Sequence, residues 1–511
     1  MTTIWWIKRD ARLIDNPALS WALSTSDCVV PVFIVEPDHL QAPETSAFHV
    51  AAWREALADL RQSLRAAGGD LCVLYGDAIE VLERLHTAIG FGCIVSHEEV
   101  GLEWTFSRDR AVADWCVKRG IRWQEHAQTG VFRPSPSRDQ RGQLWREWML
   151  KTPLERPDQQ ALRHIVVPTI VRALQADSER AQPASTLVLT SAQQSQRQPV
   201  SESHGLETLD DFLTARAIAY RGGISSPNTA FTAGSRLSVH LAWGTLSSRY
   251  VYHRLDARVA ALKGERGEAA KRWRASLNAF RARLHWRDHF MQRLEAEPAM
   301  QRVPLNRAYE ALPYRDDAKR LAAWQHGRTG WPLVDACIRC VQQTGFLNFR
   351  MRSMITSAAC HALHIDWRIV QWPLAQWWAD YEPGIHVSQV QMQAGVVGIN
   401  TLRTYNPAKQ IIDQDPEAVF IRRWVPELAN ESVARIVAHQ TDGSANYIEP
   451  VVDFATASRQ MRDAYYAIRR QPETRELAQA VMKKHGSRKK TIRKSRSRTR
   501  RADDSGQLRL L

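Results

Sequence analysis

Small polar residues and one arginine lie just before a helix in the segment GSRLSVHLAWGTLSSRYVYHRL, residues 234–255. The hydroxyls of Ser235 and Ser238 are placed to cap helix N-termini, where free backbone N–H groups point outward. The same arrangement binds phosphate or pyrophosphate, and Arg236 adds a matching positive charge. An ordinary capped helix has this pattern too, so the segment by itself leaves both interpretations open.

Three cysteines form a second candidate group for chemistry, namely Cys337, Cys340 and Cys360. Thiolates bind iron–sulfur clusters, but a cluster needs four of them, and no cysteine follows Cys360. Residues three apart share one face of a helix, so the first two cysteines fit a helix packed in the core. We predict no metal site.

Tryptophans crowd the residues before DYEPGIHVSQVQMQAG, residues 380–395, but none lies within it. The stretch holds Asp380, Glu382 and His386, and a histidine can change its charge near neutral pH. The chain has 19 tryptophans, which supply large flat surfaces either to a core or for stacking on rings. Core packing explains most of them, including the four just before this stretch: Trp367, Trp372, Trp377 and Trp378.

Positive charge is concentrated near the C-terminus. The net charge is +15, and residues 483–501 carry eleven Lys or Arg and no acid. Such a low-complexity run cannot bury apolar surface and is predicted to be disordered. It fits either a solubilising tail or a non-specific clamp on nucleic-acid phosphates.

The cysteine content and the apolar runs indicate a cytoplasmic protein. Seven scattered cysteines, an odd number, favour a reducing compartment over a disulfide framework. The first residues, MTTIWWIKRD, lack the layout of a signal peptide, and no apolar run is long enough to span a membrane. We therefore expect no membrane partner.

Alternating strand and helix patterns over roughly the first 130 residues predict an open parallel α/β sheet, of the Rossmann-like kind. The predicted strands are short apolar runs between turn residues, and a helical pattern over 47–67 separates the second from the third. No G-x-G-x-x-G motif opens a helix after the first strand, so the common dinucleotide fingerprint is absent. The strand segments are TTIWWIK, CVVPVFIVEP, LCVLYGD, CIVSHEEV and IRWQEH.

The remaining chain divides by composition. Residues 176–204 are rich in Gln, Ser, Pro and Arg and are interpreted as a linker, whereas long helical patterns dominate from about 206 to 470. We expect an α/β domain over 1–130, a connector over 131–205, an all-helical domain over 206–470 and a basic disordered tail over 471–511.

A series of separated motifs resembles the photolyase/cryptochrome family of blue-light flavoproteins, a divergent bacterial branch of it. The resemblance covers nearly the whole chain up to about residue 470, and agreement at several separated specific sites is implausible by chance. The motifs, in chain order, are WIKRDARLIDNPAL, SRLS, RTGWPLVDA, RMRSMI, IDWR and RRWVPEL.

The resemblance implies FAD in the helical domain, an antenna chromophore of unspecified type on the α/β domain, and a DNA cleft opening onto the flavin. Photolyases flip a damaged pyrimidine dimer out of the duplex, and excited reduced flavin gives it an electron. The chemistry belongs to the cofactor, while the protein positions it and excludes water. UV-damaged DNA is thus the implied partner, and we expect a monomer.

The resemblance also implies cofactor-binding residues. Ser235, Arg236, Leu237 and Ser238 match the pyrophosphate site, and Arg352 with Asp380 matches an ion pair beside the flavin ring. A buried pair with only a packing role is the alternative interpretation of those two residues. His386 stands where photolyases usually place an Asn facing flavin N5, although a histidine satisfied by backbone groups fits as well. The other implied cofactor contacts are Tyr220, Arg287, Phe349 and Glu382.

The family's tryptophan chain, which carries electrons from the surface to the flavin, looks interrupted. Val390 stands in place of the tryptophan nearest the flavin, and Tyr314 stands in place of the outer tryptophan. The middle tryptophan is kept as Trp367. Trp377 or Trp378 offers another route.

The cleft also departs from the family. Trp286 matches a tryptophan that stacks on the dimer, and Arg350 and Arg403 match basic cleft residues. Arg283 stands in place of an acid and Met392 in place of a second tryptophan, while Phe349 and Ser353 replace other lesion contacts.

These observations predict a blue-light-driven, FAD-dependent DNA photolyase, with Trp286, His386 and Trp367 in catalytic roles. A cryptochrome photoreceptor with the same fold and no repair activity is the alternative, favoured by the altered cleft and the interrupted chain. A flavoprotein that binds DNA structurally is the third hypothesis.

Overall fold

A single five-stranded parallel sheet forms the N-terminal part of the protein, as predicted. The computed structural model describes residues 2–181 and 186–486. The strand order is β3-β2-β1-β4-β5, with Ile4 of β1 opposite Val30 of β2 and Ile94 of β4. The strands are β1 (Thr2–Ile7), β2 (Cys28–Val35), β3 (Cys72–Tyr75), β4 (Cys93–His97) and β5 (Arg122–His126).

Helices cover both faces of this sheet, which explains why the strands read as continuous apolar runs. Trp5 and Ile7 pack into a core on one face, and Ile4 and Trp6 pack into a core on the other. The helix predicted over 47–67 is present as α3. The helices are α1 (Pro17–Thr25), α2 (Pro37–Gln41), α3 (Ala47–Ala66), α4 (Ala78–Ile89) and α5 (Glu103–Arg119).

The segment predicted as a connector contains four helices: α6 (Arg138–Leu150), α7 (Gln159–Leu162), α8 (Thr169–Ala181) and α9 (Ser191–Gln196). Helix α8 runs beside edge strand β3, where the Gln175 side chain accepts a hydrogen bond from the Val73 N–H at 3.2 Å. The Ser178 hydroxyl bonds both the N–H and the carbonyl of Tyr75. Side chains thus satisfy backbone groups that an edge strand would otherwise expose.

From Glu202 onward the described chain is helical, as predicted for the C-terminal domain. A π-helical turn, Ala358–Ala362, and short 3₁₀ turns at Arg216–Ala219, Pro298–Gln301, Arg307–Ala311 and Pro426–Leu428 interrupt the α-helices. The α-helices are α10 (Glu202–Thr214), α11 (Tyr220–Gly223), α12 (Ala230–Ala233), α13 (Ser238–Ala242), α14 (Ser248–Ala261), α15 (Glu268–Ala296), α16 (Ala318–Gln325), α17 (Pro332–Thr344), α18 (Phe349–Ser357), α19 (Trp367–Trp377), α20 (Pro383–Ala394), α21 (Pro407–Gln414), α22 (Val419–Trp424), α23 (Val433–Asp442), α24 (Phe454–Arg470) and α25 (Pro472–His485).

Arg9, just after β1, connects the sheet to the helical domain. Its guanidinium donates hydrogen bonds to the backbone carbonyls of Ala242, at 3.0 Å, and Tyr381, at 2.6 Å, and lies over the Trp243 ring. Gly244 has φ 66°, and a Cβ there would lie 1.8 Å from the Arg9 carbonyl oxygen. The two domains therefore meet at a point where only glycine fits.

The range predicted as a disordered tail begins with an ordered helix, α25, and in this respect the prediction is wrong. Nearly all of the basic run over 483–501 lies outside the described residues, which end at Gly486. No helix in the described part of the chain is both long and apolar enough to cross a membrane.

Candidate functional site

A cavity of about 950 Å³ lies between helices α13, α15, α18 and α20 of the helical domain. Its volume is in the range of ligand and cofactor sites. Most of the predicted site residues lie on its wall, although they come from distant parts of the sequence. They are Tyr220, Ser235, Arg236, Ser238, Arg283, Trp286, Arg287, Phe349, Arg350, Arg352, Asp380, Glu382 and His386.

Four predicted residues do not line this cavity. Leu237 is fully buried in a neighbouring core cluster, and Trp367 is buried in the main core of the helical domain. Met392, on α20, and Arg403 are half-buried elsewhere. None of these four side chains lines the cavity, so none is placed to contact a molecule bound in it.

The Ser235–Ser238 turn is held by backbone conformation and not by serine caps. Arg236 has φ 61°, and α13 begins at Ser238 without a side-chain cap. The prediction that Ser235 and Ser238 cap helices is therefore wrong. Ser247 caps the following helix α14 by accepting bonds from the N–H groups of Arg249 and Tyr250.

Arg236 is a half-buried cation that faces the cavity. Its guanidinium lies 3.7 Å from the Phe346 ring centroid, and Nη1 is buried without a hydrogen-bond partner among the described residues. Burial lowers the pKa of Arg236 to about 10, even though Asp380 favours its charged form. A buried charge needs a counter-ion, and a diphosphate group in the cavity would supply one, so this wall fits FAD.

Arg352 and Asp380 form a two-pronged ion pair. Arg352 Nη1 and Nη2 donate to the two Asp380 carboxylate oxygens at 2.9 and 3.0 Å, and the guanidinium lies over the Trp378 ring. Burial alone would raise the pKa of Asp380, but the charge and hydrogen bonds of Arg352 outweigh it and hold that pKa below its usual value. Asp380 therefore remains a carboxylate on the cavity wall.

A second ion pair joins helix α15 to the start of α20. Arg287 donates to Glu382 at 3.1 Å and to Asp288 at 2.9 Å. Burial raises the pKa of Glu382, while the charges of Arg9 and Arg287 oppose that rise. Glu382 is thus the cavity acid that most readily takes up a proton.

His386 lines the cavity and also hydrogen-bonds a backbone group, so a flavin-facing position and a backbone-satisfied histidine are compatible. Its Nε2 lies 2.9 Å from the Gln371 carbonyl oxygen, and since a carbonyl only accepts, Nε2 carries the proton. Burial lowers the pKa of His386 to about 4, against the effect of that hydrogen bond. The ring is neutral at pH 7, with Nδ1 free to accept a hydrogen bond.

One face of α20 continues the wall beyond His386 through Gln389, Val390 and Gln393. Only Val390 was singled out from the sequence, yet the spacing 386, 389, 390, 393 is the repeat of one helix face. Gln389 Oε1 is buried and lacks a hydrogen-bond partner among the described residues. It is available to a donor group of a ligand.

The cavity also presents one half-buried tryptophan among arginines. Trp286 stacks on Phe290 with ring centroids 5.8 Å apart, and the Arg283 side chain hydrogen-bonds the Tyr220 hydroxyl. Arg350 Nε is buried and has no hydrogen-bond partner in the described chain. This part of the wall offers a flat stacking surface beside hydrogen-bond donors.

The aromatic residues predicted as an electron route belong to one core cluster of the helical domain, which buries Trp367, Trp377 and Trp378 and has Tyr314 packed against it. Val390 provides no ring at the cavity wall, and Trp367 is buried in the core. Trp378 does line the cavity, and its neighbour Trp377 contacts Trp324 with ring centroids 5.0 Å apart.

The three cysteines at 337, 340 and 360 are free thiols in the core of the helical domain. Burial raises the pKa of Cys340 to about 12. Within residues 2–181 and 186–486, no group of three or more His, Cys, Asp or Glu side chains is placed to hold a metal ion.

The carboxyl edge of the sheet, where open α/β folds usually bind ligands, has a cavity of only about 50 Å³. Arg108 fills it, bonded to Glu36 at 2.8 Å and Glu99 at 2.6 Å and lying between the rings of Trp6 and Trp104. As these side chains lie, the space at this edge is far smaller than the cavity of the helical domain.

Two family models match most of the chain. The model described as "DNA photolyase" matches residues 3–147, and the model described as "FAD binding domain of DNA photolyase" matches residues 280–467. The second match contains α18 and α20 and most of the cavity wall. The helical domain is therefore an FAD-binding domain.

Known proteins are also similar to the chain over most of its length. The deoxyribodipyrimidine photo-lyase of Agrobacterium fabrum is 27% identical over 493 residues, covering 91% of this chain and 98% of the relative. Cryptochrome-2 of Arabidopsis thaliana is 27% identical over 495 residues, covering 89% of this chain and 77% of the relative.

A solved structure agrees with this assignment. The photolyase of Sulfolobus tokodaii, solved with two FAD molecules, has a TM-score of 0.74 and 26% identity, covering 91% of this chain and all of that one. The fold, the FAD-binding domain and the relatives lead to one conclusion: the chain belongs to the photolyase/cryptochrome family.

Proposed function

We propose that this protein is a blue-light-driven, FAD-dependent DNA photolyase that repairs UV-induced pyrimidine dimers. The main support is that Trp286, Arg283 and Arg350 share one cavity with the Ser235–Ser238 turn. A stacking surface for a flipped base and a site for a diphosphate therefore lie within one cavity. The name of the Agrobacterium relative, a deoxyribodipyrimidine photo-lyase, agrees with this activity.

Two neighbouring groups of residues on the cavity wall are proposed to hold the two parts of FAD. Ser235, Arg236 and Ser238 bind the diphosphate, and the Arg352–Asp380 pair with His386 surrounds the flavin ring. When bound, reduced and excited by blue light, FAD supplies the electron that splits the dimer. Asp380 fixes a negative charge beside the ring, and neutral His386 offers a hydrogen-bond acceptor.

Trp286 and the two arginines are proposed to receive the lesion. The Trp286 ring, supported by Phe290, stacks on the flipped bases, and Arg283 and Arg350 donate hydrogen bonds to base or phosphate oxygens. Seven free thiols fit a reducing compartment, so we propose that this takes place in the cytoplasm.

Repair is tested by illuminating the reduced, FAD-loaded protein with DNA that carries cyclobutane dimers. Single- and double-stranded forms are measured, each with a dark control, and the remaining dimers are counted. We expect light-dependent loss of dimers with the wild type and at least a tenfold slower loss with Trp286→Ala.

Trp273→Ala is the matched control, because Trp273 lies on the same helix but outside the cavity, beside Arg258. It should repair at the wild-type rate. If light removes dimers from neither form of DNA, the protein does not repair this lesion.

A cryptochrome photoreceptor is the second candidate. It is supported by Val390, which gives the cavity wall an aliphatic side chain where the family's electron chain has a ring, and by the relatedness to a plant cryptochrome. Normal flavin photoreduction without loss of dimers would favour this function over repair.

A further inference from the structure

A buried arginine lies two helical turns beyond Trp286 on α15, outside the site described above. Arg293 is 4% exposed, and its Nε and Nη1 are buried without hydrogen-bond partners among the described residues. Its Nη2 lies 3.4 Å from His289 Nε2, and the guanidinium stacks over the Phe290 ring at 5.3 Å. No carboxylate in the described chain forms an ion pair with it.

Other positive or protonatable groups surround Arg293. Arg141 on α6 is close enough for its charge to lower the pKa of Arg293, which burial already lowers, to about 10. His485, at the end of α25, is 2% exposed and its Nδ1 has no hydrogen-bond partner in the described chain. Glu297 is bonded to Lys484 and lies 4.0 Å from His485 Nε2.

The other buried arginines show what is missing here. Arg249 is bonded to Asp15 and Arg197 to Glu55, and Arg12 donates to backbone carbonyls and to the Gln128 side chain, so the donors of these three have partners. Arg236, which has no carboxylate bonded to it either, faces the cavity where we place a diphosphate. A buried guanidinium without a counter-ion is strongly unfavourable, so a buried arginine of this kind marks a place where an anion binds.

We propose that Arg293, Arg141, His289 and His485 form a second binding site, for an oxyanion of the phosphate class. The guanidinium and imidazole donors come from three helices, α15, α6 and α25, which suits a tetrahedral anion that accepts bonds from several directions. Arg141 and His289 are only half-buried and leave one side of the group open to solvent. The anion is either free phosphate or a phosphate of the nucleic-acid backbone, and this proposal does not depend on repair.

The first test is calorimetric titration of the full-length, FAD-loaded protein with inorganic phosphate at constant ionic strength, with chloride as the reference anion. We expect one phosphate per chain, and at least tenfold weaker binding in Arg293→Gln. Arg272→Gln is the matched control, since Arg272 lies exposed on the same helix, and its affinity should be unchanged. If Arg293→Gln does not fold, the half-buried Arg141→Gln gives the same comparison.

The second test separates the two sources of phosphate. If the site binds the DNA backbone, Arg141→Gln reduces the slope of log K against log salt for DNA binding by about one. If the site binds free phosphate, titration succeeds and that slope is unchanged. The proposal is overturned if the wild type binds no phosphate and the slope is the same in both proteins.

Discussion

His386 illustrates how one residue serves the fold and the site together. Its protonated Nε2 is held by the Gln371 carbonyl, and this hydrogen bond fixes which ring nitrogen remains as an acceptor. Because burial lowers the pKa of His386 to about 4, the ring stays neutral through the physiological range. His386 therefore acts on a bound flavin as a fixed hydrogen-bond acceptor, through Nδ1, and not as a positive charge.

We expect His386→Asn to change the absorption and the reduction potential of the bound flavin, because an amide presents a donor and an acceptor where the ring presents only the acceptor. A loss of stability of roughly 1–3 kcal/mol should accompany the change in packing. Spectroelectrochemical titration of the FAD-loaded protein measures the potential.

The matched control is His361→Asn. His361 is also buried, bonds the Ala394 carbonyl at 3.2 Å and has a pKa lowered to about 4, but it lies outside the cavity. His361→Asn should lower the free energy of unfolding about as much as His386→Asn does and leave the flavin reduction potential unchanged. Equal potentials in wild type and His386→Asn would show that His386 does not contact the flavin.

At the residue scale the sequence predicted which side chains meet better than how they are held. The Arg352–Asp380 pair that the family resemblance implied is present, and it lets the fold bury two opposite charges together. The serine caps were wrong, because the chain turns at Arg236 through a left-handed conformation that no residue type in the segment announced. The same turn directs the Leu237 side chain into a core cluster, away from the cavity that Ser235, Arg236 and Ser238 line.

At the scale of elements, helices and strands with strong burial were predictable and low-complexity segments were not. Strands β1 and β2 are apolar on both faces, which leaves a continuous signal in the sequence. Helix α8 packs Val171 and Leu174 against the core of the sheet, and Gln175 and Ser178 bond the edge of β3. Such bonds become visible only when the edge strand is in place.

The basic run over 483–501 would bind phosphates as a whole segment and not through one residue. Truncation after Gly486 keeps α25 and removes most of the eleven Lys and Arg of 483–501. If the run clamps phosphates, each lost contact should reduce the slope of log K against log salt for DNA binding by about 0.9.

The control for that truncation is removal of residues 505–511 alone, which keeps the basic run. Its slope should match that of the full chain, as measured by fluorescence anisotropy over a range of salt. Equal slopes in all three proteins would reject the clamp and leave a solubilising role.

At the scale of the whole molecule, buried histidines are expected to set the response to acid. Burial lowers the pKa of His49 and His240 to about 3 and that of His361 and His386 to about 4. The unfolded chain binds protons on these groups near pH 6.5 and the folded chain does not, so stability falls as pH drops below 6.5.

We expect the free energy of unfolding to fall by roughly 1–2 kcal/mol per histidine between pH 7 and pH 5. Asp335, whose pKa burial raises to about 6, acts in the opposite direction, but it is one group. Urea unfolding of the FAD-loaded protein at the two pH values measures the difference. A free energy that is equal or higher at pH 5 would contradict the neutral, buried state of these histidines.

If flavin and lesion meet in one cavity, the lifetime of reduced-flavin fluorescence responds to the lesion. Electron transfer to a bound dimer shortens that lifetime. In the wild type we predict a shorter lifetime with DNA carrying cyclobutane dimers than with undamaged DNA, and in Trp286→Ala no difference between the two. A wild-type lifetime that is the same with saturating damaged and undamaged DNA would contradict a shared cavity for flavin and lesion.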